Sequence, residues 1–189
     1  DYFDSMVLSD GRLLVFMSDS SYNGIDSAVA ALQLYGVLHT PSKYLTAPDR
    51  LLNTMNWLLA TSSLSTTGVP AFALTCAKGG EIHYSSASGN PLYLYNPRAG
   101  TFTSHGTKGS PLGVRKEASY DTGTVRAVPG SIGILHSAGL LKARNGKGET
   151  YTADALRGLI SASRGDTPAV ITRKIYEDYR SFMGGSQEE

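Results

Sequence analysis

Between residues 72 and 96 the chain sets three short strand-like runs (72–77, 81–87 and 92–96) barely a turn apart. Lys78-Gly79-Gly80 separates the first two, and Pro97-Arg98-Ala99-Gly100 follows the third. Two further runs, 120–128 and 132–136, are joined by Pro129-Gly130. Parallel strands need a crossover of a dozen or more residues, and these connections cannot supply one. Antiparallel sheets are therefore the strongest constraint on the fold.

The flanks are consistent with it. Met6-Val7-Leu8, then Ser9-Asp10-Gly11, then an apolar run over 12–17 predict a hairpin, with Asp10 and Gly11 both at positive φ. A polar loop over 18–24 leads to two helices. Asp26 or Ser27 caps the first, which ends near Leu38 and uses Val29, Leu32 and Leu34 as apolar positions. Pro48 suits the first turn of the second, 48–61, which sets Leu51, Met55, Leu58 and Leu59 on one face. The C-terminal third returns to helical period over 152–161, and again from the Thr167-Pro168 cap, with Ile171, Ile175, Tyr179 and Phe182 in one stripe. Two sheets packed face to face, with helix pairs outside, would bury every one of these faces.

With 189 residues the chain fits one domain over 1–189. A domain of this size can bury roughly 70% of its unfolded surface. Hydrophobic content of 41% and charged content of 17% are globular values. A net charge of +1 with dispersed Lys and Arg recommends neither nucleic acid nor an anionic membrane as partner. No apolar stretch reaches the ~18 residues of a membrane span, and no signal peptide is visible. Cys76, the single cysteine, reads as a buried structural thiol and favours a reducing, cytoplasmic compartment.

A series of segments, in order along the chain, then aligns with one family. Asp1-Tyr2-Phe3-Asp4 resembles a G-G-D-Y-Y/F-D opening without its glycines. Residues 18–24 stand where that family has G-D-V-S-G-H/K-G, and Ala87-Ser88-Gly89-Asn90-Pro91 resembles N-A-G-H-P. Ser110-Pro111-Leu112-Gly113 resembles P-P-L-G. Residues 129–139 resemble P-G-D followed by L-L-L-L-Y-T-D-G, and 140–145 resemble V-T-E-A-R-N. Gln187-Glu188-Glu189 stands where the family has Q-D-D. In this order the chain resembles the SpoIIE/RsbU branch of the metal-dependent, protein phosphatase 2C-like serine/threonine phosphatases. The resemblance implies an α+β fold, a four-layer αββα sandwich of two antiparallel sheets flanked by helix pairs. It also places Asp1 in mid-motif and Glu189 just before a closing strand. The chain is thus expected to be excised from a longer protein, as the cytosolic output domain of a sensor that could be membrane-anchored.

The chemistry the resemblance implies uses two Mn²⁺ or Mg²⁺ ions about 3.5–4 Å apart, which lower the pKa of a water that attacks a phosphoserine or phosphothreonine. Such hard cations take oxygen ligands. Asp19 matches the aspartate bridging both ions, Ser20 would lend its backbone carbonyl, and Asp1 matches an aspartate acting on metal-bound water. Glu189, then Glu188, matches the last ligand. Ala138 replaces the aspartate of T-D-G, and Gly139 follows it. Tyr22, Asn23 and Gly24 would shape the mouth of the site, with Tyr22 in place of a glycine. With a methyl group at 138, the ions retained could number two, one or none.

Plainer readings stand beside these. Asp19 could be a turn residue, Asn23-Gly24 a positive-φ turn, and Glu188 and Glu189 a solvated tail. Asp4 reads as structural, and His136 as packed in a strand. Two functions follow. The first is a phosphatase acting on a small phosphorylated regulator, typically an anti-sigma-factor antagonist in bacterial partner switching, its activity impaired by Ala138. The second is an inactive pseudophosphatase that docks the same partner as a binding or regulatory module. Homodimer formation is left open.

Overall fold

The computed structural model describes residues 1–19, 25–40, 46–62 and 68–184. Eight strands and five helices are formed among them: β1 (Tyr2–Val7), β2 (Leu13–Ser18), α1 (Ile25–Leu38), α2 (Pro48–Thr61), β3 (Ala71–Cys76), β4 (Glu81–Ala87), β5 (Leu92–Asn96), β6 (Thr101–His105), β7 (Gly123–Arg126), β8 (Ile132–Ile134), α3 (Ala138–Lys142), α4 (Ala153–Ala162) and α5 (Pro168–Phe182). One sheet runs β1-β2-β3-β4-β7 and the other β6-β5-β8. The strand pairs for which registers are resolved are antiparallel. The fold is α+β, built of two antiparallel sheets with helices, as the turn spacing requires.

The chain divides into two compact units. In the first, Asp1–Leu92 with Ser104–Ala127, the helix pair α1 and α2 packs on one face of the five-stranded sheet. β2 alternates, so Leu14 and Phe16 point into this core while Leu13 is exposed. β3 meets the helices with Ala71 and Ala73, whose small side chains leave room for Leu34, Leu51, Met55 and Leu59, all fully buried. Each such leucine contributes about 1.5–3 kcal/mol relative to exposure.

In the second unit, Tyr93–Thr103 and the described residues from Val128 onward, Tyr95 and Ile134 pack with Tyr151, Leu156, Ile160 and Ile171 from the α4–α5 region. Thr152 and Thr167 cap α4 and α5 by accepting from the N–H of Ala155 and Val170. The stripe Ile171, Ile175, Tyr179 and Phe182 lies against this core, as its spacing predicts.

Several expectations need correction. Helix α1 begins at Ile25, so Asp26 and Ser27 lie in its first turn rather than capping it. Its buried positions are Ala30, Leu34, Val37 and Leu38, and Leu32 is 70% exposed. Residues two apart are about 200° apart on a helix, so Leu32 and Leu34 cannot share a face. In the first hairpin only Gly11, at φ 82°, adopts positive φ. Its N–H donates to Leu8 O while Leu8 N–H donates to Arg12 O, which is a three-residue loop with a glycine bulge rather than a two-residue turn. The same bonding recurs over Ala77 to Glu81 and Asn145 to Glu149. β7 and β8 are shorter than expected, β6 and α3 are additional, and Cys76 is half-buried rather than buried.

Among the described residues, Tyr2, Tyr120 and Tyr151 are held above the ordinary tyrosine pKa of 10.0. Burial raises Tyr2, Tyr120 and Tyr151, and hydrogen bonds to Asp4 and Asp178 add to the shift at Tyr2 and Tyr151. A raised folded-state pKa contributes stability that is fully present below the unfolded value and lost as the pH rises through the folded one. Stability should therefore fall once the pH passes about 10. An ultraviolet tyrosinate titration of the folded chain should fall short of completion until the chain unfolds, and Tyr151→Phe should blunt the alkaline loss. A titration that completes on the folded chain would contradict this.

Candidate metal centre

The first unit places Asp19 immediately after β2, where its N–H donates to Pro70 O at 2.9 Å. β1 and β2 pair with Tyr2 opposite Ser18 and Phe3 opposite Met17. Continuing that register by one step sets Asp1 opposite Asp19, on the face that carries Phe3 and Met17. Residues directly opposed across an antiparallel pair have Cβ atoms about 4.5–5.5 Å apart. Two carboxylates so opposed would offer hard oxygen donors from both strands to a divalent cation.

A third side chain reaches the same place. Asn90 Nδ2 donates to Asp19 Oδ2 at 3.4 Å. Asn90 follows Ser88 and Gly89 in the β4–β5 connection, and Ser88 bridges to Ala71 at the start of β3. The sequence assigns Asn90 no role, because a contact spanning 71 residues leaves no local signal.

Asp4 has a different occupation. Its carboxylate accepts from Tyr2 OH at 3.1 Å and Ser5 N–H at 2.7 Å, and lies 2.7 Å from His39 Nε2 on the end of α1. The hydrogen bond with His39 is the main cause of its lowered pKa. It ties β1 to α1, in keeping with a structural role. His136, just after β8, is 8% exposed, stacks on Tyr93 at 5.5 Å, and its Nδ1 lies 2.8 Å from Ser137 O, a packed position.

Ala138 and Gly139 open α3 in the second unit, after Ser137 at the N-cap. Ser20, Tyr22, Asn23, Gly24, Glu188 and Glu189 lie outside the described residues. Among the described residues no group of three or more His, Cys, Asp or Glu side chains is placed to hold a metal. The second unit contains an apolar cavity of about 530 Å³ along β8 and α5. Its one carboxylate, Asp166, is paired with Lys174 at 2.6 Å, so the cavity is unsuited to a cation.

The donor chemistry can be tested against a divalent cation. Asp1 and Asp19 supply the hard oxygens such an ion requires, and fit it. Position 138, in the second unit, offers only a methyl group and supplies no ligand oxygen.

The family model for Stage II sporulation protein E (SpoIIE) matches residues 9–189. No curated protein matches. Among solved structures, the chain is similar to the RsbU and RsbW domains of Rv1364c from Mycobacterium tuberculosis, with 20% identity over 98% of this chain and 51% of that one, TM-score 0.75. It is similar to the PP2C phosphatase domain with a fragment of the regulatory domain of SpoIIE from Bacillus subtilis, with 15% identity over 98% of this chain and 54% of that one, TM-score 0.76. RsbX in complex with magnesium matches with 14% identity over 96% of this chain and 78% of that one, TM-score 0.68. The chain spans about half the length of the first two. At these identities the likeness carries the fold: two antiparallel sheets with helices. No helix among the described residues is long and apolar enough to cross a membrane.

Proposed function

The chain belongs to the SpoIIE family, and from that premise we propose that it is a metal-dependent serine/threonine protein-phosphatase domain acting in bacterial partner-switching signalling. Its substrate in this reading is a small phosphorylated protein of the anti-sigma-factor-antagonist type, met in the cytoplasm. The observation that supports the proposal is the β1–β2 register, whose continuation one step past Tyr2 and Ser18 would oppose Asp1 and Asp19. The likeness to a chain joining RsbU and RsbW domains supports the partner class, and the likeness to a magnesium-bound RsbX supports the cation.

Asp19 and Asp1 would hold Mn²⁺ or Mg²⁺, with the backbone carbonyl of Ser20 and the carboxylate of Glu189 or Glu188 as further donors. When bound, the ion supplies Lewis-acid charge toward a phosphoryl oxygen and lowers the pKa of a water. The residues of this chain fix where that charge sits. Tyr22, Asn23, Gly24 and Gly139 would shape access. Ala138 supports a second reading, in which the domain docks its phosphorylated partner and hydrolyses little or nothing.

Calorimetric titration with Mn²⁺ tests the shared core of both readings. The wild-type chain should bind the ion, and Asp19→Asn should weaken binding by at least about tenfold, because a ligand is worth no less than the partners that orient it. Equal affinity in the two proteins would remove the cation from Asp19 and the proposal with it.

A further inference from the structure

Ser88 is the one non-glycine residue with positive φ among the described residues, at 58°. Left-handed backbone is costly for a residue with a Cβ, and persists where the surroundings impose it. Nothing about Ser88 itself asks for it, since that residue is exposed. The next residue explains more. A Cβ on Gly89 would lie 2.6 Å from Ala71 O and 2.9 Å from Ala71 C, so the connection is pressed backbone to backbone against β3. Ala87, just before it, is fully buried, and Ser88 bridges to Ala71. The turn is thus held on both sides, and it delivers Asn90 to Asp19 Oδ2.

Resting on the cation reading of Asp19, we infer that Asn90 is a positioning residue. Its amide donates to one carboxylate oxygen of Asp19 at 3.4 Å and so favours one orientation of the group over the others. A carboxylate free to rotate gives up torsional freedom when it takes a cation. One already held by a donor has less to lose, and groups that hydrogen-bond to metal ligands commonly matter 10–100-fold in affinity. The strained Ser88 and the side-chain-free Gly89 then serve that placement.

The test is Mn²⁺ affinity by calorimetry, with the electron paramagnetic resonance signal of the bound ion as a second readout and thermal melting as the control for folding. Asn90→Ala should lower affinity about tenfold and broaden the bound-ion spectrum while melting with the wild type. Asn90→His, which restores a donor, should recover most of the loss. Gly89→Ala, which pushes the turn away from Ala71 without touching the amide, should also weaken binding. If Asn90→Ala binds like wild type while Asp19→Asn does not, the positioning role is wrong and the cation site stands. If the wild type takes up no Mn²⁺, or Asp19→Asn binds it equally well, the cation site fails and the role of Asn90 falls with it.

Discussion

Replacing Ala138 with aspartate is expected to raise Mn²⁺-dependent phosphate release from a phosphoserine protein by on the order of 10²–10³, the size at which a single preorganised electrostatic group counts in enzymes generally. The substitution asks little of the fold. Ala138 is the first residue of α3 and only half-buried, and acidic residues are well tolerated at the start of a helix. What it adds is a carboxylate at the position where the SpoIIE/RsbU pattern has the aspartate of T-D-G. A two-cation site deficient in one carboxylate is short of both an oxygen ligand and a negative charge offsetting the ions. Phosphate release should therefore rise together with the amount of Mn²⁺ bound. Combining Ala138→Asp with Asp19→Asn should return the rate to background. A restored variant that fills with Mn²⁺, still binds its phosphorylated partner and releases no phosphate would favour the docking module over the enzyme.

The readable parts of this chain are those where neighbouring residues cooperate. The bounds of α2, Pro48–Thr61, follow from Pro48 at the first turn and a periodic apolar face. β4 and β5 follow from the turns that bracket them. β6 escapes because Thr101-Phe102-Thr103-Ser104-His105 is mostly polar, and its pairing with β5 decides it rather than its own composition. Asp1 and Asp19 stand out in sequence through motif likeness, whereas any opposition between them depends on the β1–β2 register, which a one-residue slip would abolish. Asn90 is illegible for the reason given above, its partner lying 71 residues away. Asn56 is the same case inside the core. A polar residue on a helix reads as solvent-facing, yet its partners, 57 to 64 residues onward, pull it inside.

That burial sets up the largest stability effect expected here. Asn56 is 1% exposed on α2. Its Nδ2 donates to Arg115 O at 2.9 Å, and its Oδ1 accepts from Gly113 N–H at 2.9 Å and Tyr120 OH at 3.1 Å. Its Nδ2 also reaches Lys116 O at 3.5 Å, so one amide serves four groups of the 113–120 segment. Leucine would remove the amide from all of them, leaving Tyr120 OH only its hydrogen bond with Ser110. Arg115 is exposed, so water can replace the lost donor there, but Tyr120 is buried and Gly113 lies against Leu59, where a Cβ would sit 3.1 Å away. Each stranded buried group costs about 1–3 kcal/mol, so Asn56→Leu should destabilise the chain by about 3–5 kcal/mol. At this chain length that is on the order of a 6–20 °C fall in melting temperature. Tyr120→Phe removes one partner but leaves the amide its others, and should cost about 1 kcal/mol. Asn56→Asp turns a carboxylate oxygen toward the Arg115 and Lys116 carbonyls at a 1% exposed position, so it should cost at least as much as Asn56→Leu. Urea unfolding of the three variants would order them, and a loss for Asn56→Leu no greater than that for Tyr120→Phe would mean that hydrophobic contact, not the amide, holds the 113–120 segment to α2.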